Sequence, residues 1–376
     1  MTASRGSRFR RVEGEAMGSG GGTDDLQLGS PEPIASGLPT PGHRTSDPVG
    51  TADRLRAETS RRIAEALAGA PSPGAVGDVY VGWVAARDAA SCPARYRGEG
   101  ERGWGFPGWS PPLAAGACGR AALAHHVAVD DRAGRPPTLP MPLDAIRIWM
   151  RALRTLGEPG DGGTPSVERS GVGEWICEVW DAGDSATLAA VAALAGRWVA
   201  GFVRVLGWPL PPRLTLLNAP GPAAVSALRW RPDKGSPVTV ASGADARLGR
   251  VTGAGGFTLV VHRVTTGDDG ALRDRAAFEA ATAALAIGVV PGSVLVTAGD
   301  TGERVTVPVD DDLLVLGADR IVAVVAQRVV AVERGFDPTD ATPSGACRHC
   351  DHLADCPPGQ AWMRVAERWR GGLPVL

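Results

Sequence analysis

The segment Cys347-Arg-His-Cys350-Asp-His-Leu-Ala-Asp-Cys356-Pro-Pro-Gly359 places three thiols close together near the end of this 376-residue chain. A single cysteine is often an ordinary core residue, but clustered thiols usually mark a metal site or a disulfide. The turn-forming Thr342-Pro-Ser-Gly345 precedes the cluster, and Pro-Pro-Gly follows it. We therefore expect a compact loop around a bound group, with a fourth ligand elsewhere in the chain. A set of four thiolates suits either an iron–sulfur cluster or tetrahedral zinc.

The composition is typical of a soluble protein, with 44% hydrophobic and 21% charged residues. A formal net charge of −2 gives no global attraction to nucleic acid, so a polyanionic partner must meet a local patch. No secretory segment is visible, and the longest apolar runs are interrupted by Pro291-Gly292 and Arg197. We expect a cytoplasmic protein without membrane contact, and in the cytoplasm clustered thiols favour metal over disulfide.

The chain divides into a folded domain and flanking segments. Residues 1–50 are rich in Gly, Ser, Pro and Thr. They predict a disordered tail, because they bury too little apolar surface to offset chain entropy. Residues 51–76 predict a helix and a linker, 77–360 the domain with its cysteine loop at 342–360, and 361–376 a C-terminal tail.

Within the domain, hydrophobic periodicity predicts helices first, then a strand pair, then helix, strand, strand and helix. The predicted elements are helices at 79–90, 113–128 and 187–206, strands at 238–248 and 257–264, a helix at 273–288, strands at 293–297 and 304–309, and a helix at 311–333. This order implies an α/β fold with a mixed central β-sheet flanked by helices.

This succession resembles the PD-(D/E)XK nuclease superfamily, specifically its RecB-like exonuclease branch with an iron–sulfur cluster. The resemblance covers about residues 77–360 and implies a restriction-endonuclease-like core. It rests on Ser91-Cys-Pro-Ala-Arg-Tyr96, Gly119 to His125, Gly243-Ala-Asp245, Phe257–Gly267, Asp274-Arg-Ala-Ala-Phe278 and the spacing of the last three cysteines. In that branch one N-terminal and three C-terminal cysteines bind a [4Fe–4S] cluster. The ligands implied here are Cys92, Cys347, Cys350 and Cys356.

Zinc is the alternative occupant of the cysteine site, because tetrahedral zinc accepts both sulfur and imidazole ligands. In that case His349, His352 or Cys92 completes the set formed by the three C-terminal cysteines. A further alternative is that the thiols are incidental. Cys118 and Cys177 lie on apolar segments and are interpreted as core residues.

The resemblance fails at the catalytic strand. The nuclease chemistry of this family needs two acids that hold Mg²⁺ and a lysine that orients or activates water. Asp245 supplies one acid, but the partner strand has His262-Arg-Val-Thr265 where the family has D/E-x-K. The single lysine, Lys234, lies upstream of Asp245. Arginine stays protonated and planar, so it replaces the lysine poorly. We therefore expect nuclease activity to be lost.

Asp245 and His125 remain as residual catalytic candidates, because both match family positions. Each has a structural alternative. Asp245 would pair with Arg247 or Arg250 at a strand end, and a histidine at 125 or 126 would be buried and hydrogen-bonded.

Cations and aromatic rings alternate beside Cys92, as in grooves that bind single strands through phosphate contacts and base stacking. The alternative is that the tryptophans anchor a Gly/Pro-rich loop. The candidate nucleic-acid-binding residues are Arg95, Tyr96, Arg97, Arg102, Trp104, Phe106 and Trp109, with Arg364, Arg368 and Arg370 as a possible extension.

The sequence thus predicts a degenerate RecB-like protein with a [4Fe–4S] cluster. It would bind single-stranded or branched DNA, or serve in a DNA repair or defence complex with a helicase or nuclease partner. One alternative is an active Mg²⁺-dependent exonuclease with rearranged ligands among Asp245, His125, Asp268 and Asp269. The other is a zinc-stabilised protein-interaction module.

Overall fold

Two small mixed β-sheets and the helices around them form the described part of this mixed α/β protein. The structure is a computed structural model. It describes residues 47–72, 74–101, 111, 114–116, 118–119, 175–176, 178–206, 214–218, 228–231, 236–250, 256–263, 269–298, 303–344, 347–348 and 350–370. Residues 1–46 of the predicted N-terminal tail at 1–50 and residues 371–376 of the predicted C-terminal tail at 361–376 lie outside these residues. Residues 361–370 of the latter are helical, so they are not a tail.

The main elements follow one another from an N-terminal helix to a C-terminal helix. In chain order they are α1 (Pro48–Ala68), β1 (Val79–Val81), α2 (Trp83–Ser91), α3 (Pro93–Glu101), α4 (Ser185–Leu206), β2 (Leu214–Asn218), β3 (Leu228–Trp230), β4 (Val238–Val240), β5 (Ala246–Arg250), β6 (Phe257–Arg263), α5 (Asp269–Ile287), β7 (Ser293–Ala298), β8 (Arg304–Pro308), α6 (Asp311–Arg334) and α7 (Pro357–Arg370). Predicted helices and strands from residue 269 onward are confirmed within a few residues, as is the helix at 187–206.

The larger sheet has the strand order β2-β5-β6-β7-β8. Its central pair, β6 and β7, is parallel, and the other neighbours are antiparallel. All six residues of β7 are buried, as expected for a parallel pair that is covered on both faces. Trp198 and Phe202 of α4 pack on one face against Val260 and Leu295. Alanines of α5 and leucines of α6 cover the other face.

The smaller sheet has the order β1-β4-β3, with β1 parallel and β3 antiparallel to β4. Its buried residues pack with α1, α2, α5 and α6 in a second core cluster that contains Phe278 and Ile321. The prediction of one central sheet is therefore wrong, because the strands form two separate sheets. The predicted strand at 238–248 is divided between the two sheets, and residues 241–245 connect them.

Two further segments differ from the prediction. The predicted helix at 79–90 is the short strand β1 followed by α2, because Gly82 has an extended backbone and begins the helix. Helix α1 starts at Pro48, inside the predicted tail, and Asp47 caps it by accepting a hydrogen bond from the Gly50 amide at 2.9 Å. The buried residues Ile63 and Leu67 of α1 belong to the core of the small sheet.

One helix among the described residues, α4, is long and apolar enough to cross a membrane by length and composition alone. Its buried aromatic residues pack on the larger sheet. This contact is that of a core helix, which passes the same test of length and hydropathy.

Candidate metal centre

Four cysteines from two distant parts of the chain line one cavity. Cys92 comes from the junction of α2 and α3, and Cys347, Cys350 and Cys356 come from the loop between α6 and α7. Three of these thiols are buried and Cys350 is half-buried. The structure therefore brings together all four residues that the family resemblance implies as ligands, although ligation itself stays a prediction.

The position of Cys92 follows from the proline after it. A residue before proline is forced out of the helical region, and Cys92 has φ −153° and ψ 90°. This breaks the chain into α2 and α3. The Cys92 carbonyl accepts a hydrogen bond from the Tyr96 amide at 3.0 Å, the first turn of the new helix. The side chain of Cys92 is thereby held at the helix N-terminus.

The C-terminal cysteine loop is a chain of tight turns. The amides of Cys347, Cys350 and Leu353 each donate to the carbonyl three residues earlier, at 3.0–3.1 Å. Two backbone amides also donate to sulfur: that of Ser344 to Cys347 Sγ at 3.3 Å, and that of Gly359 to Cys356 Sγ at 3.4 Å. Hydrogen bonds to sulfur stabilise thiolate over thiol, so they suit a metal-bound cysteine.

Cys356 repeats the local structure of Cys92. It precedes Pro357, has φ −117° and ψ 90°, and its carbonyl accepts from the Gln360 amide at 3.0 Å as α7 begins. Gly359 passes close to two thiols. A Cβ added there would lie 3.2 Å from Cys356 Sγ and 3.6 Å from Cys347 Sγ. The absence of a side chain at Gly359 thus leaves room beside both sulfur atoms.

Protein contacts join α3 to the cysteine loop. The buried guanidinium of Arg97 pairs with Asp340 at 2.5 Å, just before the loop. The His352 ring stacks on Phe336 at a centroid distance of 4.5 Å and lies against the backbone of Gly98. His352 is not among the described residues that line the cavity. Its packing role therefore argues against the zinc ligand set that uses it, and His349 lies outside the described residues.

The electrostatic environment of the thiols is mixed. Burial raises the pKa of Cys350, and the neighbouring Cys92 and Cys347 act in the same direction. The His352 amide and the Arg95 guanidinium oppose this rise. Within the described part of the chain, no three His, Cys, Asp or Glu side chains already converge as ligands of a single metal ion. The thiols are distributed along the cavity wall.

Two of the predicted nucleic-acid-binding residues are buried. Tyr96 is 3% exposed and Arg97 is 2% exposed, so neither side chain is accessible to a DNA strand. Arg95 is half-buried and lines the cysteine cavity. Arg102, Trp104, Phe106 and Trp109 lie outside the described residues. Arg364, in the middle of α7, is exposed.

Asp245 is buried and serves as a backbone cap. It is 2% exposed, and its Oδ2 atom accepts a hydrogen bond from the His262 amide at 2.6 Å. His262 points into the core, where its Nδ1 atom lies 2.7 Å from Thr297 Oγ1 and its ring meets Trp198 edge-on. Burial lowers the pKa of His262, and the nearby Asp245 partly offsets this. This geometry agrees with a structural role for Asp245, which holds the His262 backbone.

The structure leaves most of the remaining catalytic candidates untested. His125, His126 and Asp268 lie outside the described residues, and Asp269 is the first residue of α5. In the segment that resembles Gln-x-x-x-Tyr, Asp274 pairs with Arg320 at 2.8 Å. Phe278 is fully buried and packs near Trp83. Both residues therefore have structural contacts.

A buried acid that sequence reasoning missed contacts the segment just before Asp245. Glu279 is fully buried and accepts hydrogen bonds from the Ser242 hydroxyl and from the Gly243 amide, the latter at 2.8 Å. It also pairs with Arg275 at 2.8 Å. This network fixes the connection between the two sheets. An Arg and a Glu four residues apart in a helix are typical of an exposed pair, so the sequence gave no signal of burial.

Comparison with known proteins assigns no family to this chain. No protein-family model matches the sequence, and no curated protein matches it. Function must therefore be inferred from the cysteine cavity and the residues around it.

Proposed function

We propose that the protein carries a [4Fe–4S] cluster on a RecB-like, restriction-endonuclease-like fold that has lost its nuclease site, and that it binds DNA. The observation that carries the proposal is the cavity lined by Cys92, Cys347, Cys350 and Cys356. Four cysteine thiolates are the usual ligand set of such clusters. When bound, the cluster would supply a covalent link between the two chain segments and an electron-accepting group.

The surroundings of the thiols fit this group. Two sulfur atoms accept backbone hydrogen bonds, and such bonds help to set the properties of iron–sulfur centres. Arg95 is the one charged residue among the described residues that line the cavity. An anionic cluster would therefore meet a cation and no carboxylate among these lining residues. The same four thiols would suit zinc, which is the alternative occupant.

The loss of the nuclease site is supported at the position that resembles the family's metal-binding strand. Asp245 is turned into the protein and caps the β6 backbone. The neighbouring strand offers His262, whose ring is committed to the core. Two-metal cleavage needs carboxylates that share the metal ions in an accessible cleft. The role that remains for such a fold is to bind DNA, alone or within a larger repair or defence complex.

Metal analysis of anaerobically purified protein tests the proposed cluster. We expect about four irons per chain with a brown colour, held by the four cysteines. Cys92→Ser should lose the cluster although its residue lies far from the others in sequence. Cys118→Ser is the matched control, because Cys118 is a fully buried cysteine of a separate core cluster. It should keep its iron.

Stoichiometric zinc without iron in the anaerobic preparation would overturn the cluster assignment and favour the interaction module. Iron content that is unchanged in Cys92→Ser would refute the remote ligand specifically.

DNA binding is tested with the cluster-loaded protein on single-stranded and forked DNA. If Arg102 contacts a phosphate, affinity should fall steeply with salt, and Arg102→Ala should reduce that slope by about 0.7. Trp104→Ala or Trp109→Ala should cost roughly 1–3 kcal/mol with little change in slope, as expected for base stacking. If the protein does not bind DNA at low salt, the protein-interaction module is the better explanation.

A further inference from the structure

Among the described residues, the wall of the cysteine cavity contains two helix starts and one cation. Helices α3 and α7 both begin at this site, with Cys92 and Cys356 immediately before their first residues. A helix N-terminus carries a partial positive charge and favours thiolate and anionic groups. The Gly359 amide, in the first turn of α7, donates directly to Cys356 Sγ. Each of the two helix N-termini therefore adjoins one of the cavity's thiols.

Arg95 adds the only full charge among the described lining residues. It lies three residues after Cys92, in the first turn of α3, and its half-buried side chain lines the cavity together with all four cysteines. Its neighbours Tyr96 and Arg97 are buried in contacts with the rest of the protein. Burial of α3 on that side orients Arg95 towards the cysteine loop.

We infer that Arg95 acts on the cluster and does not contact DNA. It is a positioning residue, and its guanidinium sets the reduction potential of the iron–sulfur centre. The inference rests on the proposed [4Fe–4S] centre. Reduction adds one electron, and hence one negative charge, to a group that four thiolates already make anionic. A nearby fixed cation stabilises the reduced state more than the oxidised state. Arg95 should therefore raise the potential.

The experiment is a mediated redox titration of the anaerobically purified full-length protein with dithionite as the one-electron reductant, followed by electron paramagnetic resonance. Arg95→Gln removes the charge and keeps a polar side chain, and it should shift the midpoint potential to a lower value. Arg95→Lys keeps the charge and should stay close to wild type. Arg348→Gln is the matched control, because Arg348 lies exposed in the same loop and should leave the potential unchanged.

An unchanged potential in Arg95→Gln, with iron content as in wild type, would overturn the inference. So would an equal loss of iron in Arg95→Gln and Arg95→Lys, because charge would then not be the property that matters. If Arg95→Gln loses iron while Arg95→Lys keeps both iron and potential, the electrostatic role is supported.

Failure of the proposed function looks different from failure of this inference, since wild-type protein without iron would show no redox signal to shift. A DNA-binding measurement on the same variants completes the test. If Arg95→Gln lowers the affinity for DNA and the salt dependence of binding without changing the potential, Arg95 is a DNA contact and the inference is wrong.

Discussion

At the scale of single residues, the positions of Cys92 and Cys356 are both fixed by the proline that follows each of them. Each precedes a proline, each has an extended backbone, and each offers its carbonyl to the first turn of a helix. Proline forces the preceding residue out of the helix and is itself favoured in the first turn. Two Cys-Pro steps thus place two thiols at two helix N-termini, which is where thiolates are most stable.

Gly98 lets α3 approach the cysteine loop closely. A Cβ on this residue would lie 2.5 Å from His352 Nε2 and within 2.9 Å of two ring carbons. We expect Gly98→Ala to displace the ring, to lower iron content, and to cost about 1–3 kcal/mol of unfolding free energy. Denaturant titration and iron analysis measure both effects.

The control is Gly69→Ala at the end of α1, where an added Cβ meets no atom closer than 3.4 Å. It should change stability by no more than about 0.5 kcal/mol. Equal effects of the two substitutions would contradict the proposed packing of His352.

His262 should make stability depend on pH. Burial lowers its pKa below the usual 6.5, despite the opposing effects of Asp245 and the Trp198 backbone, and Arg204 acts with burial. The unfolded chain therefore binds a proton before the folded protein does, and stability falls as pH decreases below about 6.5. Denaturation at pH 7.5, 6.5 and 5.5 should show this loss in wild type and a smaller one in His262→Gln. Parallel pH profiles would exclude His262 as the cause.

At the scale of elements, the close contact of α5 and α6 depends on one missing side chain. A Cβ added to Gly317 would lie 2.1 Å from the Ala277 carbonyl oxygen and 2.6 Å from Ala281 Cβ. Backbone atoms cannot rotate away as a flexible side chain can. The alanines of α5 and Gly317 of α6 therefore have to be small so that both helices can cover the larger sheet.

We expect Gly317→Ala to separate these helices and to cost about 3 kcal/mol or more of unfolding free energy. Val315→Ala on the same helix is the control, since Val315 is 53% exposed and should have an effect below about 1 kcal/mol. Chemical denaturation of both variants measures the difference. A Gly317→Ala protein as stable as wild type would refute the tight packing of these helices.

The elements that the sequence predicted well are those with a clear hydrophobic period and strong end signals. Helix α6 is capped by Asp310, whose side chain accepts a hydrogen bond from the Leu313 amide at 2.8 Å, and it ends before Gly335, which has φ 63°. Both signals are readable from residue types. The division at residues 241–245 was not readable, because it depends on Glu279, which is distant in sequence and reaches the loop only in the folded protein.

The candidate site was predictable in part for a similar reason. The spacing of Cys347, Cys350 and Cys356 is local and indicates a bound group directly. The link to Cys92 depends on how α3 packs against the loop through Arg97 and His352, and no local pattern encodes that contact. It came from the family resemblance. The burial of Tyr96 and Arg97 was missed because alternating cations and aromatic rings look the same in sequence whether they face DNA or the core.

At the scale of the whole molecule, the cysteine loop returns the C-terminal part of the chain to its N-terminal part. Arg97 and Asp340 join these parts, as do Gly98 and His352, so the four thiols are assembled by contacts between protein groups. A cluster at this site would strengthen contacts that already exist, since metal binding contributes directly to folding free energy.

The whole protein should lack metal-dependent nuclease activity. The Asp245 carboxylate is buried and caps the β6 backbone, β6 contains no acid or lysine, and Lys234 lies upstream. Incubation of cluster-loaded protein with single- and double-stranded DNA and Mg²⁺ or Mn²⁺ should therefore give no cleavage above a no-enzyme background. Asp245→Ala, prepared in parallel, should match wild type. Digestion by wild type that disappears in Asp245→Ala would establish the exonuclease alternative, because a contaminating nuclease would be insensitive to that substitution.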